Sequence, residues 1–233
     1  MNTAPRPTRI MSALILRAMV DETILPEFDV GEQRAEMIWA PTMGLMQRVR
    51  DGERADAILA IDWAIDELVA SGLVDPATRR PLVQAAFGIA VMAGAPKPDI
   101  SSTERLRQTL LDAPTLVYSR TGASGIYFEK LIDQLGIGER IREKAIVIHA
   151  GLTAEKVVSG EATLAVQQIS ELLAVPGAEL VGPFPRDVQE TTDFSTALFT
   201  DAKDVAGARR FIDLLYTSRA QQTYRTIGLR PFF

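Results

Sequence analysis

Short apolar runs recur along the chain, and between them apolar residues return at every third or fourth position. The runs lie near "TRIM" (8–11), "AEMIWA" (35–40), "DAILAI" (56–61), "FGIAVMA" (87–93), "PTLVYS" (114–119), "AIVIHA" (145–150), "ATLAVQ" (162–167) and "AELVG" (178–182). Their length and flanking turn residues predict strands. Ile61, Ala64, Ile65 and Leu68 follow the i, i+3, i+4, i+7 spacing, as do Phe128, Leu131, Ile132 and Leu135, and again Ala208, Phe211, Ile212 and Leu215. Each stripe predicts a helix packed by one face on a sheet. The alternation of the two patterns predicts an α/β fold with largely parallel strands.

Two segments break the alternation: "DPATRRPLVQ" (75–84) and the proline- and polar-rich "VGPFPRDVQETTDFS" (181–195). As crossings between lobes they divide the chain into a discontinuous lobe, 1–81 plus 192–233, and a continuous one, 82–191. As surface loops they leave a single continuous sheet, and composition alone does not choose. The 233 residues are enough to bury a sizeable core in either case.

Composition narrows the function. With 47% hydrophobic and 24% charged residues the chain is ordinary for a globular protein, and a net charge of -5 argues against nucleic acid or an anionic membrane as a partner. Any bound anion must therefore be held by local donors. The absence of cysteine and the single histidine, His149, exclude disulfides, thiolate chemistry and a multi-histidine metal site within one chain. No metal and no cofactor is expected. The opening "MNTAPRPTRIMSALILRAMV" is basic and then apolar, but Arg17 interrupts it and Asp21 and Glu22 follow, so it reads as domain sequence and as cytoplasmic as it stands. No run reaches the roughly 20 apolar residues of a membrane-spanning helix.

Candidate chemistry sits where predicted strands give way to helices. In "SRTGASGIYFEKLIDQL" (119–135), Ser119, Thr121 and Ser124 offer hydroxyls, Gly122 and Gly125 permit close backbone approach, and Arg120 can fork onto a carboxylate or oxyanion. The free amides of the following helix would add to such an anion site, although serine and glycine are also ordinary helix-start residues. "RIMSAL" places Ser12 at a helix N-cap after its strand, and "WAPTMGLMQRV" places Thr42 and Gly44 likewise. Several such junctions at strand carboxyl ends define a crevice in open α/β sheets. His149 ends "AIVIHA", and is either a hydrogen-bonded structural residue or, with its near-neutral unperturbed pKa, a base. The pairs Arg79–Arg80 and Arg209–Arg210 read as solvated faces, and Trp39 and Trp63 as core.

The order of "ADAILAIDWAIDELVASGLV" (55–74), "SRTGASGIYFEKLIDQLGI" (119–137), "VVSGEATLAVQQISEL" (157–172) and "AGARRFIDLLYTSRAQQTYRTIGLRP" (206–231) resembles the molybdate-binding branch of the type 2 periplasmic solute-binding proteins. The resemblance implies two α/β lobes with a ligand cleft between them, and a small anion held by hydroxyls and backbone amides. It implies ligand contacts at Ser12, Thr42 and the 119–125 turn, and at Gln168, where molybdate binders place a tyrosine. A glutamine there and an arginine at 120 suit an organic carboxylate better than molybdate.

Two functions remain open on this scaffold. One is a solute-binding protein, with ABC transporter membrane subunits as partners and a periplasmic location after loss of a signal peptide. The other is a metal-independent isomerase of an unsaturated di- or tricarboxylic acid, as some relatives resemble aconitate isomerases; there His149 is the base, Arg120 the anchor and the amides of 122–125 the charge-stabilising donors.

Overall fold

The structure is a computed structural model that describes residues 6–120 and 122–233. Thr121, one of the sequence candidates, lies outside the described residues. In chain order, β1 (Thr8–Ala13) leads into helical turns at Leu14–Leu16, α1 (Arg17–Met19), Val20–Ile24 and α2 (Leu25–Phe28). There follow β2 (Ala35–Ala40), α3 (Thr42–Arg50), β3 (Ala57–Ile61), α4 (Asp62–Ala70), β4 (Arg80–Met92), α5 (Thr103–Asp112), β5 (Leu116–Ser119) and α6 (Ala123–Gln134). The remainder is α7 (Gly138–Lys144), β6 (Ala145–Ile148), α8 (Thr153–Val158), β7 (Leu164–Gln168), α9 (Ile169–Leu173), β8 (Ala178–Pro183), β9 (Thr191–Leu198), α10 (Val205–Leu215), α11 (Ser218–Thr226) and β10 (Leu229–Pro231). The chain forms two compact units, Met1–Gln84 with Thr192–Phe233, and Ala85–Thr191.

In the first unit β1 pairs in parallel with β2 and with β3, and β9 runs antiparallel to β3. All five residues of β3 are buried, as a strand covered on both faces requires. Leu45, Met46 and Val49 of α3 and Ala64, Ile65 and Leu68 of α4 pack against Met11, Ile58, Ala60 and Ala197. The α10 stripe Ala208, Phe211, Ile212 and Leu215 is buried, with Phe211 edge-on to Phe28 at 5.3 Å. Pro26, near the start of α2, cannot donate a helical hydrogen bond and crowds the carbonyl four residues back, and the preceding turn is widened into a π-helix at Val20–Ile24.

In the second unit β5 pairs in parallel with β6 and with β7, while β4 runs antiparallel to β7 and β8. Residues of α5 and α6 form one core with Phe87, Leu116, Tyr118, Leu164 and Val166. Those of α8 and α9 form another with Ala90, Val117 and Ala165. The alternation along β5 and β7 thus sends successive side chains to opposite layers.

Several expectations are corrected. Residues 80–84, expected within a crossing segment, are the first part of the long strand β4, and 191–198 form β9. The second was hidden because its interior residues are polar but paired: Ser195, fully buried, donates to Asp62 Oδ1 at 2.6 Å. Ser12 is not an N-cap but a buried residue of β1, and Ala13 precedes the helical turns. Thr42 is the first helical residue of α3, whose N-cap is Pro41.

One backbone approach fixes the start of α6. A Cβ on Gly125 would lie 1.3 Å from the Ser119 carbonyl oxygen, so only glycine lets the first helical turn sit on the end of β5. At Gly122 the nearest such contact is an ordinary 3.5 Å. Gly125→Ala should therefore lower the melting temperature by about 5 °C or more, whereas Gly122→Ala should change it by about 2 °C or less. Equal effects in thermal denaturation would refute this account of the turn.

Candidate functional site

Parallel pairing brings the carboxyl ends of β5, β6 and β7 to one edge of the second unit. Ser119 is in register with Ile148, and Tyr118 with Val166, so Ser119 and Gln168 close their strands at that edge and His149 follows directly after β6. Ser119 is buried, and its Oγ accepts from the Gly122 N–H at 3.3 Å. The Arg120 N–H donates to the Ile148 carbonyl at 2.8 Å, and its side chain is exposed. Gly125 and Ile126 donate to the Gly122 carbonyl, which leaves the N–H groups of Ala123 and Ser124 ahead of the helical ladder. Ser124 is 2% exposed. His149 is exposed, one residue beyond β6.

The adjacent glutamines of β7 have different partners. Gln167 Oε1 accepts from the Thr153 N–H and hydroxyl, each at 2.8 Å, and ties down the start of α8. Gln168 continues the side-chain alternation of Leu164 and Val166, which pack with α6 residues, and its Nε2 is buried with no hydrogen-bond partner among the described residues. Ser170, on the first turn of α9, has a buried hydroxyl in the same condition.

Glu171 stands next to it, and sequence reasoning passed it over. As a residue it is half-buried, but its carboxyl is drawn inward; burial pushes it up to about 7, against hydrogen bonds from the Gln168 backbone and the Gln167 side chain. No charged partner in the sequence signalled this, because the cause is the packing around the end of β7.

In the first unit Ser12, Thr42 and Asp62 lie at the corresponding edge, since Ser12 pairs with Trp39 and Leu59 in parallel register. Ser12 is fully buried, with Oγ 3.2 Å from the Ala13 carbonyl oxygen it donates to, and Thr42 is 7% exposed. Asp62 opens α4, accepts from Ser195, and pairs with Arg79 at 3.2 Å. Arg79 also binds Asp66, while Arg80 covers the Tyr216 ring at 3.7 Å, so these arginines are engaged rather than merely solvated. Arg210 likewise covers the Phe28 ring at 5.0 Å. Trp39 is half-buried and Trp63 is 44% exposed, which corrects its assignment to the core.

Side-chain capping of the helix starts is uneven, and α7, α8 and α9 have none. Where α5, α10 and α11 begin, the side chains of Ser102, Asp204 and Thr217 accept from a first-turn N–H. Where α3, α4 and α6 begin, at strand carboxyl ends, the N-cap residues are Pro41, Ile61 and Gly122, and none supplies a side-chain cap. At α4 the Asp62 carboxylate already occupies the positive helix end. The first amides of α3 and α6 have no side-chain cap and no acidic residue in the first turn. Among the described residues no group of acidic, histidine or cysteine side chains could hold a metal ion.

Two α/β units with donor-rich strand ends describe the class of the two-lobed periplasmic binding proteins. The fold agrees with the periplasmic molybdate-binding protein of Azotobacter vinelandii (TM-score 0.77, 12% identity, 95% of this chain and 98% of that one). It agrees also with a sulfate-binding protein of Mycobacterium tuberculosis (TM-score 0.75, 18% identity, 98% and 88%). Residues 17–230 match the family described as bacterial extracellular solute-binding protein, and the chain belongs to that family. An aconitate isomerase of Pseudomonas sp is 36% identical over 198 residues, which cover 82% of this chain and 75% of that protein.

The Glu171 environment predicts a pH effect on stability. Its folded pKa of about 7 lies above the 4.5 of the free side chain. The folded state thus holds the proton more tightly, so this contribution to stability is fully present below about 4.5 and is lost as pH rises to about 7. Glu171→Gln should remove that loss. In urea titrations at pH 5 and pH 8, wild type should lose more stability between the two than the variant, and parallel losses would refute it.

Proposed function

We propose that this protein binds a small anionic solute, an organic carboxylate, through donors at Ser12, Thr42, Ser119, Arg120, Thr121, Gly122, Ser124, Gly125 and Gln168. The observation that carries the reading is the uncapped start of α3 and of α6, beside buried hydroxyls, in a chain that caps α5, α10 and α11 with its own side chains. Helix N-terminal amides without a cap are ready donors to an anion. Preference for a carboxylate rests on Arg120, whose planar fork suits two carboxylate oxygens, and on the carboxamide of Gln168.

The alternative is a cofactor-independent isomerase of an unsaturated carboxylic acid, favoured by the 36% identity to an aconitate isomerase. In that reaction a base takes a proton from a methylene carbon beside a carboxylate-bearing double bond. The electron pair left behind shifts the double bond by one carbon, and the proton returns to the far carbon, so atoms and charge balance. His149 is the base in this reading, Arg120 the anchor, and the first amides of α6 the donors to the developing charge. If the protein is instead a transport receptor, its partners are the membrane subunits of an ABC transporter. No helix among the described residues is long and apolar enough to cross a membrane.

A thermal-shift panel of molybdate, tungstate, sulfate, citrate and trans-aconitate should show stabilisation by the carboxylates, reduced in Arg120→Ala; a response to the metal oxyanions alone would overturn the carboxylate reading. Incubation with trans-aconitate in deuterated water then separates the two functions. Methylene exchange that disappears in His149→Ala supports the isomerase, whereas binding with no exchange supports the receptor.

A further inference from the structure

We propose that the second unit carries a separate small-molecule site, for an apolar ammonium ion, at the edge opposite its strand carboxyl ends. Strands β5 and β7 begin there in register at Leu116 and Leu164, β4 ends there at Met92, and α5 and α8 bring their last turns to the same edge. Between these ends lies a pocket of about 530 Å³, within the roughly 300–1,000 Å³ of small-molecule sites. Its walls include Val91, Met92 and Ala95 at the end of β4, and Val157, Ala162 and Leu164 from the end of α8 to the start of β7. Met92 is 44% exposed, so the apolar surface is open to a solute.

The polar atoms of the wall decide the class of solute. Pro96, Pro98 and Pro114 have no N–H to offer. The amides of Ala95, Ala113, Gly160 and Ala162 donate to the carbonyls of Met92, Thr109, Val157 and Lys156, and that of Thr163 to the Thr115 carbonyl. The other lining amides lie inside strands or helices. The Thr109 hydroxyl donates to the Asp99 carbonyl at 2.9 Å, and the Thr163 hydroxyl to the Thr115 carbonyl. The donors of the wall are thus engaged within the fold, while acceptors remain. Asp112 Oδ1 accepts from Gln108 at 2.7 Å, and its Oδ2 has no partner among the described residues.

An anion would find no donor here and would meet a carboxylate. An ammonium group would meet Asp112 and the carbonyl end of α5, where partial negative charge collects. The chain itself already places one ammonium against that end, since Lys144 Nζ donates to the Leu111 and Ala113 carbonyls at 2.6 and 2.5 Å. A bound amine would rest its apolar body on Val91, Ala162 and Leu164 and turn its ammonium toward Asp112.

Benzylammonium, benzyl alcohol and benzoate share one apolar body and differ in the group that would face Asp112. In NMR titrations of the full chain at neutral pH, benzylammonium should shift the amides of 91–98, 109–114 and 157–164 and saturate at about millimolar concentration, with benzoate about tenfold weaker or more. Asp112→Asn should weaken benzylammonium about threefold and leave benzyl alcohol unchanged. Ala95→Trp and, at an exposed position, Met92→Trp should each fill the pocket and lower affinity about tenfold, with thermal denaturation reporting that the fold is kept. Absence of shifts in these segments, shifts confined to the strand carboxyl ends, or benzoate binding as tightly as benzylammonium would overturn the site. So would an affinity indifferent to a folded tryptophan variant.

Discussion

Parallel pairing of short, buried strands is the constraint from which the candidate site follows. Strands such as β3 and β5 are buried along their whole length and can be covered on both faces only by helices that return the chain to the opposite edge. Every parallel strand then releases its helix at the same edge of its unit. The backbone amides that open those helices gather there, because the connectivity allows no other arrangement. In the second unit the same constraint demands Gly125, since the helix must turn directly above the last carbonyl of β5.

Once the amides are gathered, the details of charge decide what each corner can do. An overall charge of -5 gives no general attraction for an anion, so any attraction must be local. The α4 corner is closed to anions by Asp62, which is neutralised by Arg79 and held by Ser195. The α3 and α6 corners carry no acidic residue in their first turns. The division between a structural corner and two donor corners thus comes from single residues placed on a repeated backbone plan.

Much of this plan was legible in the sequence, for definite reasons. The apolar runs of β1, β3, β5 and β7 mark buried parallel strands and that of β2 a half-buried one, and the stripes of α4, α6 and α10 form packed faces, although Ile61 ends β3 and Leu135 follows α6. Strand β9 was not legible, because its buried Ser195 and Thr196 are tolerated only through partners distant in sequence. Nor could sequence show that Ser12 stands inside its strand, since a cap and a strand-end serine have the same local pattern. Glu171 and Ser170 were missed for a related reason. A carboxyl shifted by burial and a hydroxyl orphaned by packing leave no trace in residue spacing.

The distance between a receptor and an isomerase on this scaffold is small in chemical terms. Donors placed to hold a carboxylate in the ground state also stand near the charge that spreads into that carboxylate when a neighbouring carbon loses a proton. What a receptor lacks is a group able to take the proton and return it near neutral pH. The edge of the second unit offers His149, exposed and next to the end of β6, and Glu171, whose carboxyl is pushed up to about 7 but is engaged with Gln167 and Gln168. His149 is exposed, whereas the Glu171 carboxyl is held by hydrogen bonds from the Gln168 backbone and the Gln167 side chain. In the isomerase reading proposed above, exposure favours His149 over Glu171 for the proton-moving role.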